Sequence, residues 1–235
     1  MNSKTLSGRA IKRKIYDLLK STDFDQAFQE LSKLPARQVI NPLFSSLNST
    51  DQDAKWAAVK AMGAVVAKLA DEDMESARVI MRRLMWNLND ESGGIGWGSP
   101  EAMGEILANH EGLAKEYAHI LISYTRENGN YLEHEVLQRG LLWGIGRLAQ
   151  VRPHHLQNAV QHLMAYLESR DATVRGLAAW VMGLVGAEEA SSRLQRLKND
   201  KSQIQTYMEH GLITCRVMDL AEQALNAIIS RGEEL

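Results

Sequence analysis

The stretch TVRGLAAWVMGLVG, residues 173–186, places a large apolar residue, Met182, before Gly183 and another, Val185, two places after it, a buried stripe at helical spacing. Three further stretches align with it: DAKWAAVKAMGAVV (53–66), GIGWGSPEAMGEIL (94–107) and VLQRGLLWGIGRLA (136–149). The shared glycines, Gly63, Gly104, Gly146 and Gly183, stand 41, 42 and 37 residues apart, the length of a two-helix repeat with short turns. A mid-helix glycine costs about 1 kcal/mol against alanine. Four in register therefore need a cause, and close approach of a neighbouring helix is the simplest.

Upstream of each lies a partner with its own stripe: ARQVINPLFSSLN, ESARVIMRRLMWNL, LAKEYAHILISYTREN and HHLQNAVQHLMAYLES, joined by short polar loops such as NSTDQD and SRDA. Here the chain resembles the HEAT-repeat family in its short bacterial form, also called PBS-lyase HEAT-like, whose second helix reads Val-Arg-x-x-Ala-Ala-x-x-Leu-Gly. Val174, Arg175, Ala178, Ala179, Met182 and Gly183 carry that pattern best; AKWAAVKAMG matches fairly and the other two are degenerate. The resemblance covers about residues 35–194 and implies an all-α, right-handed HEAT-like α-α superhelix, a solenoid. Such arrays host many functions, so it implies little about activity.

The expected organisation is a single repeat domain over 1–235: an N-terminal helical cap (1–34), four helix pairs (35–196) and a C-terminal cap (197–235). In the last part, QIQTYMEHGLITCRV alternates polar and apolar residues around EHG, which predicts a small β-hairpin before a final helix, MDLAEQALNAIIS; an irregular loop is the competing reading.

The 27 basic and 29 acidic residues nearly cancel, so no general attraction to nucleic acid or anionic lipid is expected. Cys215 is the single cysteine, which excludes a disulfide framework and a cysteine-rich zinc site. The basic residues Lys12, Arg13 and Lys14 lie inside an amphipathic pattern rather than ahead of an apolar run, so no signal or membrane anchor is expected and the location reads as cytoplasmic.

One segment breaks the helical text: NLNDESGGIGWGSPEAMG, residues 87–104, with five of the 17 glycines. It lacks the third glycine of a dinucleotide fingerprint and the Gly-Lys-Ser/Thr of a P-loop, and Ser99 lacks the flanking glycines of a nucleophile elbow. Ser99 as N-cap, Pro100 in the first turn and Glu101 near the helix dipole predict a definite helix start. Loop replaces the beginning of this repeat's second helix, with Asn89, Asp90 and Glu91 just ahead, and the segment reads as a contact site on a scaffold. The alternative is a loop that only lets the chain turn.

Positions seven before, three before and one after each repeat glycine share a helix face. They read Trp56, Lys60, Ala64; Trp97, Glu101, Glu105; Arg139, Trp143, Arg147; and Gly176, Trp180, Leu184. The family resemblance implies that these places look out from the inner surface of the superhelix, which would set indoles beside charges for a partner. The competing reading has the indoles filling gaps between repeats.

No metal or cofactor is expected. The dipeptide His134-Glu135 lacks the second histidine of His-Glu-x-x-His, and His155 and His162 are about 10 Å apart by helical rise. HEAT-like enzymes exist, among them an iron-dependent deoxyhypusine hydroxylase with repeated His-Glu dipeptides; here one such dipeptide, His134-Glu135, falls out of step with the repeats and another, in NHEG, lies at a helix end. The alternative function is a HEAT-like DNA glycosylase acting on alkylated bases, with Trp97, Trp143 and Trp180 stacking beside Asp90 or Glu101. The favoured reading is a non-catalytic module that binds a protein segment or small polar ligand through its concave face and residues 89–99. Its contacts are Asn89, Asp90, Glu91, Trp97, Glu101, Arg139, Trp143, Arg147 and Trp180.

Overall fold

The computed structural model describes residues 8–21, 24–89, 96–156, 159–209 and 211–233. The described chain is built of helix pairs closed by a two-stranded hairpin and a last helix, and it divides into two compact units, 1–110 and 111–235.

The first unit contains α1 (Gly8–Leu19), α2 (Phe24–Ser32), α3 (Ala36–Leu47), α4 (Gln52–Glu72), α5 (Met74–Leu88) and α6 (Ser99–Asn109). Helix α4 is its axis and packs against α1, α2, α3, α5 and α6. Its alanine-rich run lets neighbours approach on several sides, and Ala54, Ala58, Val59, Ala61, Met62 and Val66 are fully buried. Aspartates punctuate the helices. Asp51 accepts the Ala54 amide and Asp73 the Ser76 amide, each satisfying an orphan donor of the first turn.

The second unit contains α7 (Glu111–Ser123), α8 (Glu135–Val151), a broken helical stretch, α10 (Ala172–Val185), α11 (Ser191–Leu197), strands β1 (Gln203–Met208) and β2 (Gly211–Arg216), and α12 (Val217–Glu233). The broken stretch runs as 3-10 turns over Pro153–Leu156 and Met164–Glu168 around the short α9 (Val160–Leu163). The apolar stripe of HHLQNAVQHLMAYLES suggests one continuous helix, and the spacing of its buried residues explains the difference. Leu156 and Ala159 are three apart, as are Leu163 and Tyr166, and a three-residue winding keeps each pair on one face.

The C-terminal hairpin forms as expected, with Gln203 opposite Arg216, Thr206 opposite Ile213 and Met208 opposite Gly211. Alternation buries Ile204 and Thr206. Helix α12 is more than a lid: it lies along α10 and α11 as a further repeat layer. A Cβ at Gly183 would sit 2.6 Å from the Ala224 Cα of α12, and one at Gly146 of α8 would overlap the six-membered ring of Trp180 in α10. Gly63, Gly146 and Gly183 therefore have the cause their pattern suggested, because a neighbouring helix approaches closely at each.

Candidate functional site

Helices α4, α8 and α10 each begin eleven residues before their repeat glycine, whereas α6 begins only five before Gly104. The missing helical turns are replaced by the glycine-rich segment. Of that segment Asp90, Glu91, Ser92, Gly93, Gly94 and Ile95 lie outside the described residues.

The residues on either side are well defined. Gly98, not Ser99, is the N-cap of α6: it adopts φ 78°, and a Cβ there would stand 2.7 Å from the Leu47 carbonyl oxygen, so only glycine fits this turn. Ser99 is consequently the first helical residue, fully buried, with an Oγ that has no hydrogen-bond partner. Pro100 occupies the first turn as expected. Trp97 is 39% exposed and Trp86, at the end of α5, 62% exposed, so large indole surfaces stand in solvent at both ends of the segment. Asn89 is exposed beside Trp86, and its backbone amide donates to the Trp86 carbonyl.

The other sequence-predicted contacts face inward more than expected. Glu101 is 3% exposed and accepts Lys55 Nζ at 2.7 Å; Glu105 accepts Lys60 Nζ at 2.6 Å and Asn109 Nδ2 at 3.0 Å, lying against Gly63. Trp143 is 4% exposed, donates Nε1–H to the Tyr207 carbonyl of β1 at 2.6 Å and stands edge-on to the Tyr207 ring. Trp180 is partly exposed, one side of its ring covered by Gly146. Arg139 is exposed and grips Asp171, the N-cap of α10, with Nε 3.1 Å from Oδ1. Arg147 is half-buried and reaches Gln150 Oε1 at 3.5 Å.

The helix face expected to look outward is therefore, within each unit, largely the seam between successive repeats. Lys60 of one repeat meets Glu105 of the next, and Trp180 covers the glycine of the repeat before. A sequence contains no sign of which neighbour a helix face meets. Reciprocity of charge is a partial signal: Lys60 on this face in one repeat and Glu101 and Glu105 in the next have the composition of a cross-repeat ion pair.

Electrostatics follow the caps. Burial pushes the Asp171 carboxyl up, but the Arg139 guanidinium and the Val174 amide outweigh it and hold Asp171 below its ordinary value. Asp200 is held low in the same way, against burial, by Ser202 and by Arg175, whose Nη2 lies 2.6 Å away.

One group of metal-ligating residues is present among the described residues: Glu111 at the start of α7 and His154 and His155 in the 3-10 turn, with ligand atoms within 4.8 Å of one another. Two imidazoles and a carboxylate suit a zinc-like ion. Glu111, however, already holds Arg152 Nη1 at 2.9 Å and Lys115 Nζ at 3.8 Å, so a dication would join two existing cations. Burial, and then the neighbouring His154, lower the His155 pKa.

A model of the HEAT-like repeat matches residues 136–185, which hold α8, the broken stretch and α10. The chain contains a HEAT-like repeat. No curated protein matches it. Among solved structures, a designed armadillo repeat protein is similar over 93% of this chain and 99% of its own, at 18% identity and a TM-score of 0.51. An engineered protein covers 98% of this chain and 100% of its own, at 15% identity and a TM-score of 0.53. A second designed armadillo repeat protein, in complex with the peptide (KR)4, covers 93% and 99%, at 17% identity and a TM-score of 0.50. At such identities the likeness is one of fold: this is a helical-repeat fold. No helix among the described residues is long and apolar enough to cross a membrane.

Proposed function

We propose that this HEAT-like scaffold is a non-catalytic binding module whose first unit takes a segment of a partner protein at the truncated start of α6. The observation that carries the reading is the pair of exposed indoles, Trp86 near the end of α5 and Trp97 just before the late start of α6. Tryptophan anchors are the commonest source of concentrated binding energy at protein interfaces. Asn89 adds an exposed amide, and Asp90 and Glu91, outside the described residues, belong to the same proposed contact. In the second unit, Trp180, Arg139 and Arg147 are the proposed contacts, whereas Trp143 acts by packing against the hairpin. The designed repeat protein in complex with the peptide (KR)4 illustrates that a fold of this class accommodates a peptide.

The glycosylase alternative has less to support it. Glu101 is buried against Lys55 and Trp143 lies under Tyr207, so neither is placed to stack on or stabilise a departing base.

Selection of a random peptide library on the wild-type protein, with counter-selection on the Trp86→Ala/Trp97→Ala double variant, tests the proposal. Sequences that bind wild type and lose at least about tenfold in affinity for the double variant are expected. Peptides that bind both proteins equally, or none enriched at all, would contradict it.

A further inference from the structure

We propose that a cleft in the second unit, between the α7–α8 connection and the broken helical stretch, is a separate binding site for a ligand presenting a single carboxylate. The cleft has a volume of about 610 Å³, and Arg126, Tyr131, Gln138, His162 and Tyr166 contribute to its wall.

Two of these residues carry buried polar atoms with no hydrogen-bond partner, Arg126 Nε and Tyr166 Oη. Tyr166 is only 5% exposed. A buried donor left unmade is a standing penalty, and a folded chain retains one where something else supplies the acceptor. Arg126 Nε can only donate, so the missing group must be an acceptor. Burial first, then Tyr131 and the charge of Glu127, push the Tyr166 hydroxyl above its ordinary pKa, so it keeps its proton and can donate as well.

The surroundings are held in place rather than left to collapse on these atoms. The connection is tied by Arg126 N to Ser123 O at 3.1 Å, Gly129 N to Arg126 O at 2.9 Å and Leu132 N to Tyr124 O at 3.2 Å. Gln138, itself buried, clamps the far wall by donating Nε2 to Leu132 O at 2.9 Å and to Tyr131 Oη at 3.1 Å.

Charge then selects among acceptors. Arg126 contributes a guanidinium and Glu127 a carboxylate to the lining of the cleft. A dianion such as phosphate gains one cation and meets one like charge. A planar carboxylate with one charge and two acceptor oxygens matches one N–H and one O–H donor. A free small acid and the C-terminus of a chain share this chemistry.

The test is titration followed by NMR, with N-acetylglycine, its uncharged amide and inorganic phosphate as probes. N-acetylglycine is expected to bind saturably and more tightly than the other two. Arg126→Gln and Tyr166→Phe should each weaken it by about tenfold, the usual effect of losing a charge-assisted hydrogen bond. Tyr166→Phe keeps the ring and removes only the unpaired hydroxyl, so its melting temperature should equal or exceed wild type, which separates lost binding from lost folding. Comparing propionate with the free acid of N-acetyl-trialanine identifies the source, and tighter binding of either supports the site. Failure of every carboxylate to bind at millimolar concentration, equal binding of phosphate, or affinity unchanged in Tyr166→Phe would overturn the proposal.

Discussion

Gly183 has room for no side chain, and this fixes what substitution must do there. Alanine raises helix propensity by about 1 kcal/mol, but its methyl would press on the Ala224 backbone at 2.6 Å, and backbone does not swing aside as a side-chain tip does. Overpacking of this kind costs about 1–3 kcal/mol. Gly183→Ala should therefore lower stability in chemical denaturation despite its better propensity; an increase would show that the α10–α12 contact is looser than described. The existence of the constraint was legible from the repeat pattern. Its partner was not, because α12 falls in a stretch outside the repeat alignment and its register on α10 is a tertiary fact.

Between elements, ion pairs and caps join the layers. Lys60 reaches Glu105 across α4 and α6 with the glutamate almost fully buried. Lys60→Met removes the cation from that buried carboxylate, which costs about 3–5 kcal/mol, whereas Lys60→Met with Glu105→Met should recover most of the loss because an apolar pair needs no charge compensation. A double variant no more stable than the single one would contradict this in a denaturant series. Asp171 links elements in another way, capping α10 while holding Arg139 of α8. Its pKa is depressed from 3.8 in the folded state, so its contribution is present above that ordinary value and is lost as pH falls through the lower folded value. Acid unfolding below about pH 4 should accordingly be less steep in Asp171→Asn than in wild type; superimposable curves would remove the cap from the account. The helix pairs, the hairpin and the truncated start of α6 were readable from periodicity and turn residues. The broken stretch at 153–168 was not, because an apolar pair three residues apart fits one face of either an α-helix or its tighter 3-10 relative, and packing decides between them.

At the scale of the whole molecule, the helical repeats describe a common architecture, and what distinguishes this chain is local. Sequence reasoning placed an irregular segment at 89–99, and its tryptophan, Trp97, lies in the turn just before α6. It could not tell Trp97, which is exposed, from Trp143, which is buried, because both fit the same helical stripe and differ only in the elements that cover them. The central claim, that a partner segment docks on Trp86 and Trp97, makes a prediction about individual tryptophans. With all five tryptophans replaced by 5-fluorotryptophan, the fluorine NMR spectrum should resolve them during titration with a library-selected peptide. Trp86 and Trp97 should shift and saturate together while Trp56 and Trp143 stay in place; movement of Trp56 or Trp143 with Trp86 and Trp97 unchanged would contradict the account.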